Sequence, residues 1–232
     1  MTPPAFHLIL LVALLGAGPS SPGGTITGHA FAVRDGASIA RDDLYVYLEP
    51  LQRPRGRRTP PGEGQRAQIR QDNLQFVPHV VVVPVGAVVA FPNHDKVTHN
   101  VFSPTDPPFD LGRYTQDRKG KEHRFDDPDE FEIYCDMHKD MWARVKVVDS
   151  PYIAKVDAAG GFTFTNIPAG TYKVVAWTRN SLESQSAPLV VTDGAAIELR
   201  TELHVQVGKG RGCHARKDGT PYTYAGPCAD DN

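Results

Sequence analysis

Cys135, His138 and Met141 stand in the run Glu132-Ile133-Tyr134-Cys135-Asp136-Met137-His138-Lys139-Asp140-Met141, which reads Cys-x-x-His-x-x-Met. A thiolate and a thioether favour Cu(I), and an imidazole keeps Cu(II) acceptable. One imidazole is missing from that set, and Val97-Thr98-His99-Asn100-Val101-Phe102 offers it from upstream. Two His, one Cys and a weak axial Met make the trigonal donor set of a blue-copper electron-transfer site. Each residue alone has a plainer explanation, because a single Cys, His or Met usually packs in a core. Their combination at this spacing is what carries the metal reading.

Such a site needs strands to present it. Phe131, Ile133 and Cys135 share one parity and Glu132 and Tyr134 the other, so a period of two aims the thiol at a core. After the turn, Ala143, Val145 and Val147 alternate with Arg144 and Lys146 and predict a strand returning antiparallel. His99 is expected at the end of a third strand.

At these residues the sequence resembles the cupredoxin family, with a short ligand loop most like that of amicyanins. The likeness runs from about Gln65 to Val148 and includes Phe76 to Gly86 and Phe91-Pro92-Asn93-His94-Asp95. It implies a Greek-key β-sandwich holding one type 1 copper through His99, Cys135, His138 and Met141, with Asn100 bracing the thiolate loop by hydrogen bonds. Phe109-Asp110-Leu111-Gly112-Arg113-Tyr114 also resembles exported cupredoxins labelled as methylamine-utilisation proteins, and Gly112 predicts a bulge or turn. The stretch from Thr115 to His123 is too polar for a core and is expected to be a loop. Cupredoxins commonly carry Pro-Gly before the Cys strand; here Pro128 is followed by Asp129.

The chain of 232 residues is 40% hydrophobic, and its 27 acidic against 25 basic side chains argue against a general polyanion binder. Phe6 to Ala17 is an apolar run too short to span a bilayer and is followed by Gly, Pro and Ser, so residues 1–20 read as a signal peptide, with an uncleaved anchor as the alternative. Export to the periplasm or medium suits the cysteines. With Cys135 on the metal, Cys213 and Cys228 can pair in an oxidising compartment. A loop of about 15 residues closed in this way contributes roughly 3 kcal/mol in the chain-entropy account. The tail 207–232 is too poor in apolar residues for a core of its own.

The flanks have their own pattern. Gly24 to Phe31 and Leu44 to Leu48 read as strands, and Lys155 to Trp177 contains the turns Gly160-Gly161 and Pro168-Ala169-Gly170 between alternating runs. Together they resemble carboxypeptidase-regulatory-like or transthyretin-like sandwiches. Further strands are expected at Pro188 to Thr192 and Ala196 to Gln206. The implied architecture is all-β: a cupredoxin unit, 65–149, inserted into a second sandwich built from 23–50 and 151–206, with an Arg/Pro/Gly-rich linker at 51–64. Two domains in succession are the alternative arrangement.

Three function classes compete. Copper oxidases and nitrite reductases pass electrons through a His beside the ligand Cys, and here the neighbours are Tyr134 and Asp136, so an enzyme is not expected. A copper carrier or storage protein could use Met137 and Met141, and a module without redox function is the third possibility. The expectation is an electron carrier meeting a transient protein redox partner at the His138 edge, where charge governs the approach rate more than the affinity.

Overall fold

The computed structural model describes residues 23–52, 60–199, 203–207 and 216–220. The expected signal segment at 1–20 and the expected Cys213–Cys228 pair lie outside the described residues. Among the described residues the protein is all-β, with strands forming four five-stranded sheets. Among the described residues, no helix is long and apolar enough to cross a membrane.

Two sheets come from the middle of the chain. One orders Phe109–Tyr114, His99–Ser103, Glu130–Tyr134, Trp142–Val148 and Val80–Pro84 side by side. The other is built around Ala87–Asn93, which pairs with Asp117–Phe125, Arg66–Gln68 and Arg70–Asp72. Their inner faces meet in a core of Phe76, Phe91, Phe125, Phe131, Ile133 and Val145, and Cys135 and Met141 belong to that same core. The period-two pattern works as expected: Phe131, Ile133 and Cys135 are buried while Glu132 and Tyr134 keep some exposure. Glu130–Tyr134 pairs antiparallel with Trp142–Val148, from Glu130 opposite Lys146 to Tyr134 opposite Trp142.

Thr115 to His123 differs from the expectation of a loop. Asp117–Phe125 is a strand, mostly exposed, at one edge of its sheet. Its polarity comes from that edge position, since charged side chains protect an open strand edge and weaken the alternation that marks a half-buried strand. A register shift between Asp117 and Lys121 further breaks the pattern. Gly120 lies within the shift at φ 74°, so close to Phe91 and Pro92 that a Cβ would fall 2.3 Å from the Pro92 nitrogen. The bulge expected at Gly112 is present between Asp110 and Arg113, with Gly112 at φ 70°.

The other two sheets come from the flanks. Gly24–Arg34 pairs with Gly161–Ile167, Ala196–Glu198 and Leu203–Gln206. Tyr45–Pro50 pairs with Gly170–Trp177 along its whole length, from Trp177 opposite Tyr45 to Tyr172 opposite Pro50, and with Ile153–Lys155 on its other side. Ile26, Val46, Leu48, Phe162, Phe164 and Val174 fill the core between them. A third apolar cluster joins the flanks to the middle of the chain: Tyr47, Val175 and Trp177 pack against Val80 and Val148. Each such side chain, fully buried, contributes about 1.5–3 kcal/mol.

Asp43 anchors the flank side of that junction. Its buried carboxylate accepts from Arg41 at 2.7 and 2.8 Å and from the Thr178 hydroxyl at 2.7 Å, and Arg179 Nε lies 3.1 Å away. Burial opposes the charge, but the Arg41 and Thr178 hydrogen bonds and the two guanidinium charges outweigh it and hold the carboxyl below the ordinary aspartate range. A depressed carboxyl stabilises the fold fully above the unfolded-state pKa and loses that contribution as pH falls through the folded-state value. Asp43→Asn leaves two largely buried guanidinium groups without their counter-charge and is expected to cost about 3 kcal/mol at neutral pH. Thermal melts from pH 7 down to 2.5 should show the gap between wild type and variant closing in the acid limb.

Candidate metal centre

The centre is built where three segments end. Cys135 follows the last residue of Glu130–Tyr134, and the chain turns through Asp136 to Asp140 before Trp142 begins the return strand. The turn is closed by its backbone, with the Cys135 amide donating to the Met141 carbonyl and the Met141 amide to the His138 carbonyl, both at 3.2 Å. His99 enters at the start of His99–Ser103, next to Glu130–Tyr134 in the same sheet.

This topology brings His99, Cys135 and His138 together, with one potential ligand atom from each within 4.8 Å of the others. The two Nδ1 atoms are 3.1 Å apart, and Cys135 Sγ is 3.5 Å from His138 Nδ1. Bonds of about 2.0–2.1 Å from nitrogen to a first-row ion put two nitrogens of one tetrahedral site about 3.3 Å apart, so the spacing fits a shared metal. Met141 is fully buried in the core that holds Cys135. His99 and Cys135 are also fully buried, and His138 keeps partial exposure.

Asp95 decides which nitrogen His99 can offer. Its Oδ2 lies 2.8 Å from His99 Nε2. Burial pushes the Asp95 carboxyl up, but hydrogen bonds from the Leu74 amide, His99 and the Asn73 amide together hold it below the ordinary range. An ionised carboxylate can only accept, so a ring proton sits on Nε2, which leaves Nδ1, on the side of His138, as the nitrogen that can be offered to a metal. Asp95 is itself held in place. Its Oδ1 and Oδ2 accept from the Asn73 and Leu74 amides at 2.8 and 3.0 Å, and its own amide donates to Asn93 Oδ1 at 2.9 Å. Asn73 and Leu74 both have positive φ in the two-residue turn between Arg70–Asp72 and Gln75–Val77. That is the twist a tight hairpin demands and one a leucine rarely adopts. Sequence reasoning passed over Asp95; its only signal was an acid four residues before the candidate His.

Cys135 and His138 are tuned by burial. Desolvation raises the Cys135 thiol, against the opposing pull of the Asn100, Met137 and His138 amides. The thiol therefore holds its proton until a cation takes its place. Desolvation also lowers His138, helped by the neighbouring His99 and opposed by Asp95, which favours the neutral imidazole that a metal ligand must be. Asn100 is buried at the centre of the bracing: its Oδ1 accepts from the Asp136 amide at 3.2 Å and its Nδ2 donates to Asp110 at 2.8 Å. Asp136 in turn takes Arg113 at 2.7 Å, and Asp110 takes Lys217 Nζ at 3.0 Å.

No family model matches the chain, and neither does any curated protein. Among solved structures it is similar to a mutant of amicyanin in the Cu(I) state, at 16% identity over 37% of this chain and 84% of that one, with a TM-score of 0.34. A pseudoazurin from Sinorhizobium meliltoi is similar at 16% identity over 37% of this chain and 76% of that one, TM-score 0.30. A Cu-containing nitrite reductase from Thermus scotoductus is similar at 20% identity over 50% of this chain and 28% of its own, TM-score 0.32. Likeness at this level leaves the case to the side chains themselves.

Asp95→Ala removes the acceptor for His99 Nε2 and for two backbone amides together. Copper affinity, measured by competition with a chelator, is expected to fall roughly 10–100-fold, as for the loss of other groups that orient a metal-bound His. Urea unfolding of the metal-free variant should show a loss of about 1–3 kcal/mol.

Proposed function

We propose that this chain is an exported type 1 copper protein that carries single electrons by cycling between Cu(II) and Cu(I). The observation that carries the reading is the convergence of His99 Nδ1, His138 Nδ1 and Cys135 Sγ from two distant chain segments, with Asp95 reserving the His99 nitrogen for a metal. Met141 is the axial thioether. The ion supplies the redox change; the chain supplies a thiolate, two neutral imidazoles and an enclosure that keeps water from the sulfur.

Burial favours carriage of electrons over carriage of copper. A chaperone or store hands over its ion by ligand exchange, which needs accessible donors, whereas His99, Cys135 and Met141 are fully buried here. His138 is the partly exposed donor, and the loop around it carries half-buried Met137 and Lys139 and exposed Asp140. That edge is the proposed contact for a transient protein redox partner. A small contact with a charged rim suits an encounter that must form and break quickly.

The architecture we infer is a cupredoxin unit, 65–149, inserted in a carboxypeptidase-regulatory-like sandwich of 23–50 and 151–206. The pairing of Tyr45–Pro50 with both Gly170–Trp177 and Ile153–Lys155 supports it, because the chain leaves and re-enters the flanking unit on neighbouring strands. Insertions succeed where the host's ends lie close together.

Adding Cu(II) to the purified metal-free protein is expected to produce an intense visible thiolate-to-copper absorption and a spin-resonance signal with narrow copper hyperfine splitting. Cys135→Ser should abolish the visible band. A band that survives in this variant rejects Cys135 as the ligand, and a wild-type protein that never shows one rejects the type 1 reading.

A further inference from the structure

We infer that Arg179, from the flanking sandwich, is a positioning residue for the metal-binding loop, and that it acts through Trp142. Trp142 immediately follows Met141 and pairs with Tyr134, which immediately precedes Cys135. That rung is the neck of the loop: whatever fixes it limits how far the Cys135 and Met141 ends can move apart. The guanidinium of Arg179 lies 4.5 Å from the centre of the Trp142 indole, in cation–π contact. The His79 imidazole also stacks on that indole, with centroids 4.5 Å apart and planes 19° from parallel, and its Nδ1 is 3.0 Å from the Trp142 carbonyl.

Arg179 can act as a strap because its far end is fixed. Its Nε lies 3.1 Å from Asp43, which Arg41 and Thr178 hold within the flanking unit. The next residue grips the same strand, since Arg144 Nη1 donates to Asn180 Oδ1 at 3.2 Å. Two consecutive residues after Gly170–Trp177 therefore touch Trp142 and Arg144, at the start of the strand that leaves the metal loop. A planar guanidinium suits this task because it can pair with a carboxylate in its plane while offering its face to a ring; a lysine ammonium can keep the charge but not the stack. The consequence is mechanical coupling. The flanking sandwich sets the stiffness of the loop that carries Cys135, His138 and Met141. The functional meaning of that coupling rests on the copper reading above, but the contact itself does not.

Hydrogen exchange on the metal-free full-length protein tests the strap without copper. In Arg179→Met the amides of Cys135 and Met141, which close the loop, are expected to exchange roughly three- to thirty-fold faster, with Val89 and Phe91 in the opposite sheet unchanged. Arg179→Lys should fall between wild type and Arg179→Met. Lys146→Met, which removes a different contact across the junction, Lys146 Nζ to Glu183 at 3.0 Å, should leave the loop amides as they are. Should Arg179→Met fold poorly, Arg179→Gln, which loses the charge and the guanidinium face but leaves Trp142 and its His79 stack in place, is expected to give the same local acceleration. Loop amides that exchange at the wild-type rate in a folded Arg179→Met protein, or acceleration spread evenly through the opposite sheet, overturn the proposal. In the copper-loaded protein the same variant should retain its visible band but shift its energy. Absence of the band from wild type would instead reject the copper reading, with the exchange data still deciding the strap.

Discussion

An imidazole can give a metal only one ring nitrogen while the other keeps its proton, and the rest of this centre depends on how that choice is made at His99. The ring is fully buried, so water cannot settle its tautomer. Asp95 does, by accepting from Nε2 at 2.8 Å. The arrangement reaches back to a hairpin turn at Asn73 and Leu74, whose amides hold the carboxylate, and to Asn93, which holds the Asp95 amide. A backbone conformation that leucine seldom adopts is thus kept by a group that also directs a candidate ligand. Local strain of this kind persists only where the surroundings over-determine it.

The thiol raises the opposite problem. Burial makes a thiolate expensive, and the three amides around Cys135 reduce that cost without removing it. A buried thiol beside two closely spaced imidazole nitrogens is a donor set that a soft cation can satisfy. The backbone bonds between Cys135, His138 and Met141 close the loop that carries Cys135 and His138. A site that changes little when the ion changes charge lowers the reorganisation that electron transfer requires, which is why enclosure and rigidity belong to the same reading.

The strands that carry the centre were legible in the sequence wherever one face is buried and the other wet. Phe131 to Cys135 and Ala143 to Val147 alternate cleanly because their sheet has a core on one side, and Gly112 marked its bulge because only a residue without a side chain takes positive φ at little cost. Asp117–Phe125 was illegible because an exposed edge strand has no buried face to write a period of two. His99, Cys135 and His138 could be grouped by donor chemistry. Asp95 could not, since an acid before a histidine usually means a solvated turn and only the fold brings the Asn73–Leu74 hairpin to it. Arg179 was hidden for a related reason: its partners Asp43 and Trp142 are distant in sequence in opposite directions.

Sequence proximity also conceals what the flanking strands do for the centre. Domains in one chain move against each other unless the surface between them is apolar and well filled. Here Tyr47, Val175 and Trp177 pack on Val80 and Val148, and the Trp177 indole N–H donates to Glu130 at 2.8 Å. Lys146 reaches both Glu130, at 3.5 Å, and Glu183, at 3.0 Å, so ion pairs continue the junction beyond its apolar part. Long ionic side chains on a surface contribute little by themselves, but around a filled apolar centre they fix the register of one unit on the other. The flanking strands and the strands that carry His99 and Cys135 thus share one apolar contact with ion pairs around it.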